Sequence, residues 1–148
     1  MKRFDKKTFL TLSKAGWYPN RRVDIHHKIE YLKNLNFNTT EEMNNFLVEF
    51  DNLFLIYPNG DSIFDFRVYK TDFDSSQISI RNGMIGESCL LVGSFCNNEF
   101  LVVITETNKM VAYNENFRKI HQIGSYFDEG INYICHFGLN PDKISNNI

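Results

Sequence analysis

The spacing of apolar residues changes from helical to strand-like near residue 53, and this change constrains the fold more than any other feature of the chain. Before it, Met43, Phe46, Leu47 and Phe50 lie at i, i+3, i+4 and i+7, the spacing of one helical face. After it, residues 62–69 alternate apolar and charged or polar side chains, as in a half-buried strand. Helices followed by strands predict an α+β domain in which the helices gather on one face of an antiparallel sheet.

Three helices are predicted before this change. The first covers residues 5–15 and ends at Gly16, where a left-handed glycine is typical. Asp24 is placed to cap the second helix. Thr39 and Glu42 have the spacing of a capping box, which predicts that the third helix begins there.

A sheet and a last helix are predicted after the change. Asn59-Gly60 favours a tight hairpin turn, whereas residues 72–88 fit either a short helix or a crossing loop. Ser125 is predicted to cap a C-terminal helix that ends at Gly138 and packs on the sheet. We expect an antiparallel sheet of about five or six strands, and the sequence shows five strand-like runs: 53–57, 62–69, 89–95, 100–105 and 109–113.

Length and cysteine content favour a single domain whose cysteines are in the reduced thiol form. With 148 residues and 43% apolar content, the chain can fill a core over residues 1–148 without metal or disulfide support. Cys89, Cys96 and Cys135 are odd in number and form no CxxC pair, which disfavours a disulfide framework or a zinc site. The sequence shows no signal peptide and no run of about 20 apolar residues. We therefore expect a cytoplasmic protein without a membrane partner.

Charge is distributed unevenly along the chain. Residues 1–40 contain nine Lys or Arg against three Asp or Glu, a balance of +6, while residues 41–74 contain two against eight, a balance of −6. Both stretches fit ordinary solvated faces. The acidic stretch also fits a surface for a basic partner, because clustered charges accelerate association with the opposite charge.

Motifs for catalysis and metal binding are absent from the sequence. No GxSxG element occurs, and adjacent residues Cys135 and His136 would point about 100° apart on the predicted last helix. His26 and His27 lack metal-ligand spacing. The sequence therefore predicts no enzyme, no cofactor and no metal site.

Direct nucleic-acid binding is an alternative that the sequence disfavours. Phe4, Trp17 and Tyr18 could stack on bases beside the basic N-terminal residues. The sequence pI of about 6.1 and the lack of a recognition motif argue against it. The basic residues concerned are Lys2, Arg3, Lys6, Lys7, Arg21, Arg22 and Lys28.

The stretch LSKAGWYPNRRVDI resembles the start of the third family of the SUKH superfamily, which are bacterial immunity proteins. The matching residues are Ala15, Gly16, Trp17, Pro19, Arg22, Val23 and Asp24. Three further stretches are similar to later segments of that family: NNFLVEFDNLFLIYP, KMVAY and IGSYFDEGINYICHFG. In the last stretch the matching residues are Gly124, Ser125 and Phe127. Asp51-Asn52 and Asn36 stand where the family usually has glycines. Asn and Asp tolerate left-handed backbone better than other residues, so we expect these turns to survive.

The resemblance implies a single-domain immunity protein that binds and neutralises a cognate toxin encoded nearby, either a nuclease or another nucleic-acid-modifying enzyme. It also implies structural roles for the signature residues Gly16, Trp17, Pro19, Arg22, Gly124 and Ser125. We expect Trp17 to form a buried corner between the first helices and the sheet, with Arg22 reaching an acid or a helix C-terminus. The alternative function is a regulatory module that binds a small molecule or peptide between helices and sheet.

The acidic stretch supplies the expected toxin-binding surface. An acidic face can compete for the positive surface with which a nuclease holds phosphates. The sequence does not identify the toxin, its reaction, the geometry of inhibition or the oligomeric state. The residues predicted to contact the toxin are Glu49, Asp51, Tyr57, Asp61, Asp65, Tyr69, Asp72 and Asp74.

Overall fold

The computed structural model describes residues 3–56, 63–95, 100–114 and 119–137. The helices in these ranges are α1 (Lys6–Lys14), α2 (His26–Asn34), α3 (Glu41–Phe50), α4 (Ser75–Ile85) and α5 (Phe127–Phe137), with a 3₁₀ turn at Lys70–Asp72. The strands are β1 (Phe54–Ile56), β2 (Ile63–Asp65), β3 (Cys89–Phe95), β4 (Phe100–Thr105), β5 (Met110–Asn114) and β6 (Lys119–Gly124).

The first two helices begin and end close to their predicted limits. The Asp5 carboxylate accepts a 2.9 Å hydrogen bond from the Thr8 N–H at the start of α1, and Gly16 follows the helix with φ +104°. Ile25, and not the predicted Asp24, holds the cap position of α2 and makes no side-chain cap hydrogen bond, although the Asp24 carboxylate accepts a 2.9 Å hydrogen bond from the His26 N–H. Local capping chemistry therefore sets the start of α1.

The predicted caps of α3 and α5 are each wrong by one residue. Thr40, and not Thr39, has the extended backbone of a cap, and its hydroxyl accepts from the Met43 N–H at 3.2 Å. The Tyr126 carbonyl accepts from the Gly130 N–H, so Tyr126 holds the cap position of α5 and Ser125 precedes it.

All six strands form one antiparallel sheet in the order β1-β2-β3-β4-β5-β6. The α+β class, the antiparallel sheet and the C-terminal helix packed on it are confirmed. The pairing of β1 with β2 is also confirmed, although Asn59-Gly60 lies outside the described residues, as does Gly138. The sixth strand, β6, was not among the predicted runs. Of the two structures that residues 72–88 fitted, a short helix or a crossing loop, the helix is present, since α4 occupies most of this segment.

Helices cover both faces of the sheet. On one face of the sheet, α1, α2, α3 and α5 pack against the strands in a large core that includes Phe46, Phe50 and Phe66. On the opposite face, Met84 and Ile85 of α4 pack on a smaller cluster whose buried members are Cys89, Val103, Val111 and Tyr113. Because successive strand residues point to opposite faces, α4 lies across the sheet from the other helices. The expectation that helices gather on one face is therefore wrong for α4.

Strand β2 is shorter than the predicted run 62–69. Its last residue, Asp65, accepts a hydrogen bond from the Arg67 N–H at 2.8 Å, which turns the chain away from the ladder. The Phe66 N–H still donates to the Leu53 carbonyl at 2.8 Å. The chain then continues through the 3₁₀ turn to α4, and Phe66 and Phe73 of this stretch are buried in the large core.

Candidate binding surfaces

Trp17 is a buried corner residue that joins the N-terminal segment, α1 and α3. Only 5% of the residue is exposed, and its ring makes edge-to-face contacts with Phe4 and Phe9 at centroid distances of 5.6 and 5.4 Å. Its indole N–H donates to Glu49 Oε2 at 2.8 Å. These contacts fix the position of α1 relative to the end of α3.

Glu49 is committed to contacts inside the molecule. Arg3 donates to both of its carboxylate oxygens at 2.9 Å and to both oxygens of Asp128 at 2.7 and 2.8 Å. The hydrogen bonds with Asp128 and then Glu49 raise the pKa of Arg3 further above its ordinary value, although partial burial opposes this effect. Arg3 thus ties α3 to the first turn of α5, and Glu49 is not a free acid for a partner.

Asp51 is also paired within the fold. Its carboxylate accepts from Lys28 Nζ at 2.7 Å, and both side chains are largely buried. Arg21 donates to the main-chain carbonyls of Glu49 and Asp51, where the carbonyls at the end of α3 need partners. Arg21 reaches the helix C-terminus, whereas the exposed Arg22 makes no hydrogen bond with a described residue, so the expected role of Arg22 stays a prediction.

Residues 65–74, called here the acidic segment, contain the other predicted contact residues that the structure describes. Asp65 is bridged to Arg67, with Nε to Oδ1 at 2.9 Å. Asp72 and Asp74 are exposed; each accepts a main-chain N–H at 2.8 Å, from Tyr69 and Gln77, and neither forms an ion pair with a described residue. Tyr69 is 59% exposed. Tyr57 and Asp61 lie outside the described residues.

A groove of about 380 Å³ runs between the acidic segment, α4 and the open part of the sheet, and is called here the α4 groove. Its sheet side is formed by Leu91, Gly93 and Leu101. The polar residues that line it are Asp65, Arg67, Tyr69, Asp72, Gln77, Arg81 and Ser94. The structure therefore brings Asp65, Tyr69 and Asp72 together at one concave surface, with Asp74 next to it in the chain.

A second concave surface, of about 510 Å³, lies beside the Trp17 corner and is mostly apolar. Phe9 and Leu10 of α1 are 42% and 49% exposed at this surface, and Pro19 forms part of its wall. The helical spacing correctly predicted α1 but not this exposure, because Thr8, Thr11 and Leu12 face the core instead.

Gly124 allows β6 to approach α5 closely. A Cβ atom at Gly124 would lie 2.5 Å from the Gly130 nitrogen and 2.7 Å from the Tyr126 carbonyl oxygen. The Ser125 N–H donates to Glu129 Oε1 at 3.3 Å in the first turn of α5. These two residues thus belong to the junction between sheet and helix.

The thiols of Cys89 and Cys135 are poor candidates for nucleophiles, and Cys96 lies outside the described residues. Burial raises the pKa of Cys89 and of Cys135 to about 12 in each case, so both thiols stay protonated at neutral pH. The imidazole of His136 contacts the Asp5 carboxylate, which joins α5 to the cap of α1. Within the described ranges, no group of three or more His, Cys, Asp or Glu side chains could hold a metal ion.

The fold and these surfaces define a class of small α+β protein whose described part offers charged and apolar concave surfaces rather than an assembled catalytic centre. The sequence profile of the SUKH-3 immunity protein family matches residues 4–136, and the chain belongs to that family. Immunity proteins are in general not catalysts. Neither the curated proteins nor the solved structures gave a match. In the described part of the chain, every helix is too short or too polar to cross a lipid bilayer.

Three arginines with distinct roles escaped the sequence analysis. Arg3 and Arg21 contact α3, and Arg81 lines the α4 groove. The partners of Arg3 are 46 and 125 residues away in sequence, so no local pattern could indicate them. The sequence does distinguish Arg81, because it is the single Lys or Arg between Lys70 and Lys109.

Proposed function

We propose that this chain is a cytoplasmic, single-domain immunity protein that binds one cognate toxin, encoded nearby, and neutralises it. Membership of the SUKH-3 immunity protein family over residues 4–136 is the observation that carries this proposal. Neutralisation by binding requires no chemistry from the immunity protein. The protonated, buried thiols agree with a role as a binding protein.

The proposed target is a nuclease or another toxin that modifies nucleic acid. Such an enzyme carries a positive surface for phosphates, and a negative surface on its inhibitor is attracted to it. Asp72 and Asp74 support this choice, because both are exposed and neither is neutralised by a described cation. The inhibitor itself makes no contact with nucleic acid in this proposal.

The proposed contact surface is the acidic segment, with Tyr69 as its aromatic anchor. Exposed tyrosines are frequent at binding hot spots because a large ring is buried at little cost in conformational entropy. Glu49 and Asp51 do not belong to this proposed surface, since Arg3 and Lys28 already hold their carboxylates. The exposed acids Asp72 and Asp74 therefore supply the electrostatic attraction to the toxin in this proposal.

The toxin is to be identified by affinity capture of the tagged protein from its own host, followed by co-expression. The account predicts recovery of one protein near a one-to-one ratio, and growth of cells that express its toxic domain only when this chain is present. Capture without restored growth would contradict the proposed function.

Replacing Asp72 and Asp74 together by Asn tests the contact surface. Asn keeps a side-chain oxygen for the Tyr69 and Gln77 N–H groups, so the fold is retained while two charges are removed. We predict slower association with the toxin and a weaker dependence of the association rate on salt. Stopped-flow mixing at several salt concentrations measures both quantities.

A matched control removes two exposed acids elsewhere, Glu30 on α2 and Glu106 in the turn after β4, by changing both to Gln. The net charge changes equally in the two variants, so a position-specific effect separates them. If the Asp72/Asp74 variant associates no more slowly than this control, the acidic segment is not the contact surface.

A further inference from the structure

Arg81 on α4 is a buried cation without an adequate partner among the residues that the structure describes. The residue is 5% exposed, and its Nε has no hydrogen-bond partner among them. Its one hydrogen bond to a described residue joins Nη2 to the main-chain oxygen of Asp72 at 3.5 Å, the outer limit for such a bond. Arg81 forms no ion pair with any residue that the structure describes.

This arrangement is unfavourable for the free protein. A guanidinium carries five N–H donors, and burying a charge without a counter-charge costs more than burying it as a pair. The group that best satisfies a guanidinium is an oxyanion, which accepts two parallel N–H bonds. The burial of Arg81 therefore indicates that a negatively charged group completes the site.

The surroundings of Arg81 define the chemistry of that group. Arg81 lines the α4 groove, where the neighbouring Arg67 is already bridged to Asp65. Asp72, whose carboxylate forms no ion pair with a described residue, also lines the groove, so a ligand with two negative charges would be repelled more than one with a single charge. A single carboxylate carried next to a positive group satisfies Arg81 and Asp72 together.

We propose that Arg81 binds the carboxylate of an acidic side chain on a polypeptide partner, and that a basic residue beside this side chain faces Asp72. The groove volume of about 380 Å³ accommodates one such pair of side chains. If the partner is the toxin, this inference rests on the proposed function and adds one buried anchor to the acidic segment.

The direct test is an NMR titration of the ¹⁵N-labelled protein with the blocked dipeptide acetyl-Lys-Glu-amide. The expected result is a saturable shift of the Arg81 Nε–H signal and of the Gly93 and Ser94 amides. Acetyl-Lys-Gln-amide, which lacks only the carboxylate, should produce no saturable shift. Equal shifts with both peptides, or none with either, would overturn the proposal.

Inorganic phosphate and native mass spectrometry distinguish other sources of the anion. At matched ionic strength, phosphate should bind at least about tenfold more weakly than the Lys-Glu peptide, since Asp72 repels it. Equal or tighter phosphate binding would overturn the assignment to a carboxylate. A stoichiometric small molecule retained by the purified protein would overturn the assignment to a polypeptide.

Changing Arg81 to Met separates a binding role from a structural one. Removing an unpaired buried charge should raise the Tm of the free protein while the peptide-induced shifts disappear. Arg22→Met removes the same charge from an exposed position and should keep both the Tm and the peptide response. A lower Tm for Arg81→Met would indicate a structural arginine and contradict the proposal.

The outcome for Arg81 is independent of the toxin experiment. Peptide binding with an unaffected toxin would leave the groove assigned and remove the immunity function. Neutralisation of the toxin without a peptide response would leave the immunity function and remove this anchor.

Discussion

The carboxylate of Glu49 accepts three hydrogen bonds from side chains, two from Arg3 and one from Trp17. A single acid at the end of α3 thus connects the N-terminal segment, the Trp17 corner and, through Arg3, the first turn of α5. The guanidinium of Arg3 also lies 4.7 Å from the centroid of the Phe4 ring, within the range of a cation–π contact. The corner combines burial of aromatic rings with directional hydrogen bonds, and together these contacts fix the N-terminal segment and α1 relative to α3.

Replacing Trp17 by Ala should lower the free energy of unfolding by about 3–5 kcal/mol, as for other core aromatics. The loss arises from the cavity among Phe4, Phe9 and α3, together with the missing hydrogen bond to Glu49. Trp17→Phe keeps an aromatic ring and should cost less. Urea denaturation followed by circular dichroism measures both variants, and wild-type stability of Trp17→Ala would contradict the corner interpretation.

At the scale of elements, local signals predicted most of the structure. Strands β3 and β4 have the predicted limits because each is a continuous run rich in apolar residues, and α1 lies between a capping Asp5 and Gly16. Such signals depend on residues a few positions apart. They are legible without knowledge of tertiary contacts.

The elements that the sequence did not resolve lack a clean pattern. Helix α4 has Arg81 as its buried residue and contacts the sheet mainly through Met84 and Ile85, so no apolar stripe marks it. In β6, Ile120 packs on one face of the sheet and Ile123 on the other, and the two residues between them are polar. Tertiary packing, not local periodicity, stabilises both elements.

Turns after the helices depend on asparagines with left-handed backbone. Asn36 after α2 has φ +62° and Asn52 after α3 has φ +69°, as expected from their positions in the resemblance. Asp51 has φ −58°, so the left-handed position of the second turn is Asn52 alone. Asn has a side chain where the family usually has glycine, and the left-handed backbone of each turn accommodates it at one residue.

Asn52→Ala should reduce the free energy of unfolding by about 1–2 kcal/mol, the cost of a left-handed conformation for a residue with an ordinary Cβ. Asn52→Gly should retain stability within a few tenths of a kcal/mol, because glycine adopts this backbone freely. Asn34→Ala, the same change at the end of α2, is the control and should cause no loss. Equal effects of Asn52→Ala and Asn52→Gly in urea denaturation would contradict the backbone explanation.

At the scale of the whole molecule, the basic first part of the chain pairs with two acids of the acidic middle. Arg3 pairs with Glu49 and Lys28 pairs with Asp51, so opposite charges that are far apart in sequence meet inside the fold. The charge pattern predicted an acidic surface but not which acids remain exposed, since those ion pairs depend on the tertiary arrangement. Asp72 and Asp74 remain outside these pairs, next to the α4 groove.

We propose that the braced α+β scaffold presents the acidic segment and the α4 groove to one toxin molecule. The N-terminal residues stabilise the scaffold, and α4 supplies one wall of the groove. Membership of the immunity protein family supports neutralisation by binding, and the exposed acids and Arg81 are the proposed contacts with the partner.

The most direct test is a titration of the purified toxin with this protein while the toxin's activity is followed. The account predicts that activity falls linearly and is lost at one equivalent of the immunity protein, with isothermal titration calorimetry giving the same one-to-one ratio. Full toxin activity in the presence of excess folded protein, or loss of activity without complex formation, would contradict it.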